Sequence, residues 1–473
     1  MRESKLINTL SQLTNKQRND LEEFLQSTYF NKSDDLLRFY QHVKKFAPSF
    51  RSKQLNKEKV FSALFPREAF NGQKIAYLMT SLLNQLEHFV TIQKLEEDTF
   101  QQGIYLLDVY MNWKLDKGYA KTIKRLEEEL EETDKKDTEY YFQQLRLQKS
   151  QMHHSARTLK REYDEHLQQV ADGLDIYYMA DKLKLSCEIL NRQKIIANQY
   201  ELRFLDEILA YLEHNPFEDV PVITLYQQVL YTYLYQDDTS QFFKLKDMLP
   251  MAVDELSALD SRNIYQYAVN YCIRKTNRGQ VEFVRELFEL YKAMLTNDLL
   301  TDNGILSPWT YKNIVTTGIK LEEYEWTEQF IDDYRSILPD EYRDNMYTYN
   351  FAHIHFAKGN YDSAIELLRD VEFSDVYLNL SAKALLVKIY YEDDELDVLM
   401  SHLESFRMYV RRNKVIGEAR KTVFNNFIRF TRRLLKFDKG DNKGLDQLQS
   451  ETEETKQVAE LDWLLKKIAS LKK

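Results

Sequence analysis

Glycine and proline are scarce in this sequence, which contains 11 glycines and 7 prolines among its 473 residues. Typical proteins carry about three times as many of the two together. Turns depend on these residues, and a β-sheet needs a turn every few residues. Their shortage excludes a protein built mainly from strands and predicts long helices joined by few loops. No proline lies between Pro66 and Pro216, so no internal proline, at a cost of about 3 kcal/mol, interrupts a helix there.

Cysteines and long apolar runs are also rare. Cys187 and Cys272 are the two cysteines, and both lie in apolar helical patterns, which favours buried thiols in a reducing compartment. No run of about 18 apolar residues predicts a membrane span, and the first residues lack the apolar core of a signal peptide. We therefore expect a soluble, cytoplasmic protein. Its net charge of -10 makes nucleic acid an unfavourable partner, because phosphates repel an acidic chain.

The sequence contains none of the familiar catalytic or metal-binding motifs. It lacks the glycine-rich phosphate loops, the Gly-x-Ser-x-Gly turn and the His-Glu-x-x-His helix. None of its nine histidines follows a glutamate by three residues, as the Glu-x-x-His helix of di-iron proteins requires. His353 and His355 are two positions apart on a predicted helix, so they point to different faces. We expect no catalytic residue, no metal and no cofactor, and hence a protein that is not an enzyme.

N-terminal capping signals mark the first half of the chain. Thr14 and Gln17 fit a capping box, in which each side chain bonds to the other residue's backbone N–H. Further N-cap candidates precede apolar residues that recur every three or four positions, and these are Ser33, Asn56 and Asn71. The pattern predicts a small helical domain over residues 1–97 and long amphipathic helices over residues 98–215. We recognise no family in this half.

After Pro216 paired helical patterns alternate with short polar corners. The clearest unit contains Asn350-Phe351-Ala352, then Gly359-Asn-Tyr361-Asp-Ser-Ala364, then Leu368. It resembles the tetratricopeptide repeat, which has Asn-Leu-Gly in its first helix, a Gly-x-Tyr-x-x-Ala corner and a large apolar residue four positions later. Gly359 permits a tight corner, and the small residues Ala352 and Ala364 let the two helices approach closely.

The same unit recurs along the second half of the chain. Asn313, Tyr324 and Thr327 each stand 37 residues before their counterparts, since 350 − 313, 361 − 324 and 364 − 327 all equal 37. Asn270, Cys272 and Gly279 belong to a further copy, with 313 − 270 equal to 43. The usual period is about 34 residues, so these copies carry insertions. The resemblance implies an all-α fold in which the N-terminal helical domain is followed by a tetratricopeptide-like α-solenoid over residues 216–437.

Residues 438–473 are predicted to be a polar linker followed by an amphipathic helix. Its apolar positions are Val458, Leu461, Leu464, Leu465, Ile468 and Leu471. Repeat arrays need a terminal element that covers the last apolar face. We interpret this helix as that cap, with a detachable docking helix as the alternative.

One candidate binding feature is a recurring asparagine. Asn270, Asn313 and Asn350 occupy one repeat position. In some tetratricopeptide proteins this position faces the concave groove, and its amide holds an extended peptide. An amide both donates and accepts hydrogen bonds, so a row of amides can bind main chain. The alternative is that each amide holds a neighbouring helix end or faces water.

The other candidate feature is a basic segment. Ten basic residues and the single acid Glu418 lie between Ser405 and Phe437. The five arginines that we select as partner-binding candidates are Arg407, Arg411, Arg429, Arg432 and Arg433. On the last helix the arginines lie about 130° from the apolar face, so they are available to an anionic partner. The alternative is internal neutralisation by the acidic corner at residues 392–395.

These features favour a non-catalytic scaffold that binds a protein or peptide partner in a helical-repeat groove, and the basic segment suits an acidic one. A second hypothesis is a transcriptional regulator. Residues 55–66 and the helix after Asn71 resemble the helical part of the winged-helix domain in some bacterial activators, which also carry tetratricopeptide-like repeats. However, Lys74 is the one basic residue of that helix before residue 90, whereas DNA-reading helices carry several cations and amides.

Overall fold

The computed structural model describes residues 1–158, 163–193, 200–369, 371, 375–438, 440–455 and 457–472. These residues form 23 α-helices and one pair of two-residue strands, so the predicted all-α class is confirmed. The chain divides into two compact units, one of residues 1–134 and 138–178 and the other of residues 135–137 and 179–473. No helix of the described residues combines the length and the apolar character that crossing a membrane requires.

The first unit contains eight helices and the start of a ninth. These are α1 (Lys5–Gln12), α2 (Asn15–Gln26), α3 (Asp34–Lys44), α4 (Lys57–Leu64), α5 (Gly72–Glu97), α6 (Thr99–Trp113), α7 (Asp116–Glu131), α8 (Thr138–Ser155) and α9 (Glu165–Gln193). One apolar core joins α1 to α5, and a second joins α6, α7 and α8. The boundary between the two units falls within α9.

The predicted helix caps are present in the first unit. Thr14 accepts a hydrogen bond from the Gln17 backbone N–H at 3.1 Å, and the Gln17 side chain accepts one from the Thr14 N–H at 3.0 Å. Ser33, Asn56 and Asn71 each accept a bond from the N–H three residues later. Local side-chain chemistry therefore fixes where α2 to α5 begin.

The second unit is a succession of helix pairs. Its helices are α10 (Leu205–His214), α11 (Pro221–Leu234), α12 (Ser240–Glu255), α13 (Ala258–Asn277), α14 (Glu282–Thr296), α15 (Pro308–Lys320), α16 (Tyr324–Tyr334), α17 (Asp340–Ala357), α18 (Tyr361–Leu368), α19 (Val376–Glu392), α20 (Leu396–Arg412), α21 (Glu418–Leu434), α22 (Asn442–Glu454) and α23 (Leu461–Leu471). From α11 to α23 each helix packs against its neighbours in the chain, and α15 also contacts α17, which contacts α19. The first helices of three successive pairs therefore lie side by side.

The corners within four helix pairs of the second unit share one backbone geometry. At Gly279, Glu322, Gly359 and Asp394 the backbone is left-handed, with φ of 86°, 61°, 80° and 57°. The N–H of the following residue bonds to the carbonyl five residues earlier, as in Asn360 to His355 at 2.8 Å. This is the Schellman arrangement, which satisfies carbonyls at a helix end. The predicted corner at Gly359 is confirmed. The same corner recurs at intervals of 43, 37 and 35 residues, since these are the differences 322 − 279, 359 − 322 and 394 − 359.

Small residues bring the helices of a pair together. Ala352 and Ala364 are both fully buried, as their place in the motif predicts. In the preceding pair Gly318 faces Thr327 so closely that an added Cβ atom would lie 2.1 Å from the Thr327 hydroxyl oxygen. A larger side chain at either site would force the two helices apart.

A short hairpin separates α14 from α15. Strand β1 (Thr301–Asp302) pairs antiparallel with β2 (Ile305–Leu306). Asn303 and Gly304 form its tip, and both have positive φ, 50° and 75°. This is the conformation that an Asn-Gly hairpin turn favours. The hairpin lies between the corners at Gly279 and Glu322, which are 43 residues apart. It therefore accounts for part of the extra length of this interval over the other two.

Candidate functional site

The three predicted asparagines do not share one environment. Asn350 is completely buried, and its Nδ2 donates to the Met346 carbonyl of its own helix at 2.8 Å. Asn270 is half-buried and donates to Asn191 Oδ1 at 3.2 Å, whereas Asn313 is exposed. A row of peptide-binding amides needs every member at the surface. The expectation of one exposed ladder is therefore wrong at Asn350, because this side chain is buried within the protein.

Acids from neighbouring helices neutralise part of the basic segment. Arg407 and Arg432 both donate to Glu404, at 2.8 and 2.6 Å. Hydrogen bonds from these two guanidinium groups lower the pKa of Glu404 to about 2. Arg433 makes two hydrogen bonds to Glu451 of α22. These three arginines are thus engaged within the protein.

The other two candidate arginines form no ion pair with the described residues. Arg429 lies with its guanidinium 4.6 Å from the centre of the Phe430 ring, and Arg411 donates to the Met408 sulfur at 3.1 Å. The acidic corner does not neutralise the segment in the expected way. Its Glu392 instead accepts hydrogen bonds from Trp463 and Lys467 of α23.

A more coherent site lies where α15, α17 and α19 meet. We name it the inner cluster, and it consists of Lys312, Tyr349, His353, Ser381, Lys388 and Glu460. Lys312 Nζ donates to Ser381 Oγ at 2.6 Å and lies 5.9 Å from the centre of the Tyr349 ring. Lys388 pairs with Glu460 at 2.7 Å. Glu460 comes from the loop before α23, so a distant segment of the chain completes the cluster.

Positive charge exceeds negative charge in the inner cluster, where Lys312 and Lys388 are balanced by Glu460 alone, and these groups are partly shielded from solvent. Burial lowers the pKa of Lys312 to about 8. The negative charge of Glu460 raises this pKa, whereas the positive charges of Lys388 and Arg420 lower it further. Burial, with Lys388 adding to its effect, lowers the pKa of His353 to about 3, so this imidazole is neutral at pH 7. Burial opposes ionisation of Glu460, but attraction to Lys388 outweighs it and holds the pKa below the usual value.

Lys312 has no carboxylate partner among the described residues. The nearby Glu460 is bound to Lys388. Asp375 caps α19, where its Oδ1 accepts hydrogen bonds from the N–H groups of Tyr377 and Leu378. A recessed, unpaired ammonium whose pKa is displaced by its surroundings is characteristic of a functional site. The arrangement is suited to holding an anion.

The sequence contains a signal for this cluster in polar residues that recur at the repeat spacing, outside any known motif. Lys312 and Tyr349 are 37 residues apart, and His353 and Lys388 are 35 apart. These intervals equal the spacings of the corresponding corners, so the two pairs occupy equivalent repeat positions. Polar residues at these repeat positions therefore mark four of the six members of the cluster, whereas Ser381 and Glu460 have no such signal.

The residues of the alternative DNA-binding hypothesis have other roles. No strand occurs in residues 1–158, so no wing accompanies α4 and α5 there. Lys74 pairs with Glu68 at 3.0 Å, and its ammonium lies 3.5 Å from the centre of the Phe65 ring. The one cation in the first part of α5 is thus already engaged within the protein.

The described part of the chain contains no group of three or more histidine, cysteine or acidic side chains placed to hold a metal ion. Its two cysteines are buried and unpaired with each other. The inner cluster, in which Lys312 has no carboxylate partner among the described residues, is our candidate binding site. Comparison of the chain with family models, with curated proteins and with solved structures finds no match.

Proposed function

We propose that this protein is a non-catalytic scaffold whose helix pairs from α11 to α20 form a tetratricopeptide-like solenoid. Its partner is an acidic segment of another protein, which lies across the first helices α15, α17 and α19. Helical repeats suit this role because they present many side chains at fixed spacing on one extended surface.

The unpaired Lys312 is the observation that carries the proposal. Its ammonium lies 5.9 Å from the centre of the buried Tyr349 ring and within the electrostatic influence of Lys388, so an incoming carboxylate meets positive charge. Arg411 of α20 and Arg429 of α21 are further cations without acidic partners among the described residues. Charges of this kind steer an acidic partner and speed its association.

The proposal is tested with fluorescein-labelled dodecapeptides of glycine, serine and glutamate, followed by fluorescence anisotropy. The full chain should bind the glutamate peptide, with affinity that falls as salt rises. A peptide with lysine in place of glutamate is the matched control and should not bind. Binding of both peptides, or of neither, would refute the proposal. Binding of double-stranded DNA without binding of the glutamate peptide would instead favour the transcriptional-regulator hypothesis.

A further inference from the structure

Glu460 is a carboxylate of the protein itself that pairs with a lysine on the layer formed by α15, α17 and α19. It lies 72 positions after Lys388 in the chain and pairs with that lysine on α19. The loop that carries it is fixed on α21, since Asn426 Nδ2 donates to the Gln457 carbonyl at 2.8 Å and the Ala459 N–H donates to the Val423 carbonyl at 3.2 Å. The Glu460 side chain nevertheless remains 37% exposed. The protein thus places one of its own carboxylates on this surface.

Lys312 is the cation that this internal carboxylate leaves unpaired. Burial makes its charge unfavourable in the free protein, because desolvation lowers its pKa to about 8. A methionine or leucine would fill the same space without that cost. A side chain that is unfavourable for folding, yet held in place by Ser381, is typical of a binding position.

Aromatic side chains border Lys312 on the same layer. Trp309, one helical turn before it on α15, is 41% exposed and lies 6.5 Å from Tyr377 between ring centres. Arg420 of α21 places its guanidinium 5.9 Å from the Tyr377 ring. Two cations, Lys312 and Arg420, and two aromatic rings are thus available on this layer to an extended peptide chain. Aromatic rings contact the aliphatic part of such a peptide while the cations pair with its charges.

We infer that Lys312 is the anchor for one carboxylate or phosphate group of an acidic peptide, and that Glu460 is a built-in competitor for the same surface. This inference rests on the proposed function and deepens it. The incoming anion pairs with Lys312 and, as it binds, draws Lys388 away from Glu460. The shared chemistry is an anionic oxygen group, which glutamate or phosphoserine in a partner can supply.

The test compares four forms of the full chain, the wild type, K312M, E460Q and the control K358M. Lys358 is a suitable control because its ammonium already has a carboxylate partner, Glu328 at 2.6 Å. The probes are the glutamate dodecapeptide and a matched peptide with phosphoserine in place of its central glutamate. We expect K312M to weaken binding about tenfold, the effect of one charge-assisted pair. E460Q should tighten binding several-fold, and K358M should change it less than about twofold.

The outcomes separate this inference from the proposed function. If the peptides bind to wild type and K312M equally, the anchor is refuted although the scaffold proposal stands. If E460Q leaves affinity unchanged or weakens it, the competitor role is refuted. The peptide that binds wild type more tightly, glutamate or phosphoserine, identifies the anionic group that the site prefers. In either case the anchor is supported when K312M binds the two peptides with equal affinity.

A second measurement covers the case in which K312M does not fold. Wild-type affinity for the glutamate peptide should fall as pH rises through about 8, because Lys312 loses its proton there. The charged or titratable groups around it are Tyr349 and His353 of α17, Asp375 and Lys388 of α19, Arg420 of α21, and Glu460. Affinity that stays constant between pH 7 and 9 would overturn the assignment of Lys312.

Discussion

Replacing Glu322 with glycine should stabilise the second unit. Glu322 holds a left-handed corner with φ of 61°, a conformation that costs a side chain with a Cβ atom about 1–2 kcal/mol. Gly279 and Gly359 occupy the equivalent positions in neighbouring pairs. The Glu322 side chain is exposed and forms no ion pair or hydrogen bond with the described residues. The substitution therefore removes strain and loses no contact.

The size of the gain follows from two opposing terms. Relief of the left-handed strain contributes about 1–2 kcal/mol, and the greater freedom of glycine in the unfolded chain costs about 0.5–1 kcal/mol. The net stabilisation is about 0.5–1 kcal/mol. The reverse change, Gly359→Ala, should destabilise by a similar amount. An added Cβ at Gly359 meets no atom within 4 Å, so its effect comes from the backbone alone.

Urea denaturation followed by tryptophan fluorescence measures these changes. Three of the four tryptophans, Trp309, Trp326 and Trp463, lie in the second unit. A gain of this size should raise the midpoint by about 0.3 M urea with an unchanged slope. Glu325→Gly is the matched control, because Glu325 is exposed in the first turn of α16, where glycine costs about 1 kcal/mol. Destabilisation by both glutamate substitutions would refute the account of the corner.

Three further predictions concern the end of the chain, the inner cluster and the cysteines. Removing residues 457–473 should cause aggregation, seen by light scattering, because Leu464 and Ile468 are fully buried in the last apolar core; a stable monomer would favour the docking-helix alternative. Unfolded His353 takes up a proton near pH 6.5 but the folded residue only near pH 3, so acidification between these values destabilises the fold. The melting temperature of H353Q should therefore fall less than that of wild type between pH 7 and 5. The charged groups that face His353 are Lys312, Lys320, Lys388 and Glu460. Cys187 and Cys272 should resist a thiol reagent until urea unfolds the chain, because burial raises the pKa of both thiols; rapid labelling of the folded protein would contradict their burial.

Local features of this fold were predictable because a few neighbouring residues determine them. The capping box of Thr14 and Gln17 and the corner at Gly359 depend on residues within one turn of the chain. The corner at Glu322 was less evident, because no glycine marks it. Its backbone is held by the hydrogen bond of the Glu323 N–H to the Gly318 carbonyl, at 3.0 Å, and not by residue preference.

The candidate site was not predictable from local pattern, because its members come from separate helices. Lys312 meets Ser381 across 69 positions of the chain, and Glu460 reaches Lys388 from a loop beyond α22. The basic segment was misleading for the same reason. Glu404 precedes the segment by a single position, yet it pairs with Arg432 on the next helix. Counting charge along the chain does not reveal which charges face each other.

The hairpin at residues 301–306 has a consequence for engineering. Its tip, Asn303 and Gly304, is exposed, and it joins two helix pairs without forming part of either. Exposed loop tips are where inserted sequence is tolerated best. An epitope tag or a small reporter domain placed there would leave the corners and the helix contacts on both sides intact. It would label the protein at an internal position.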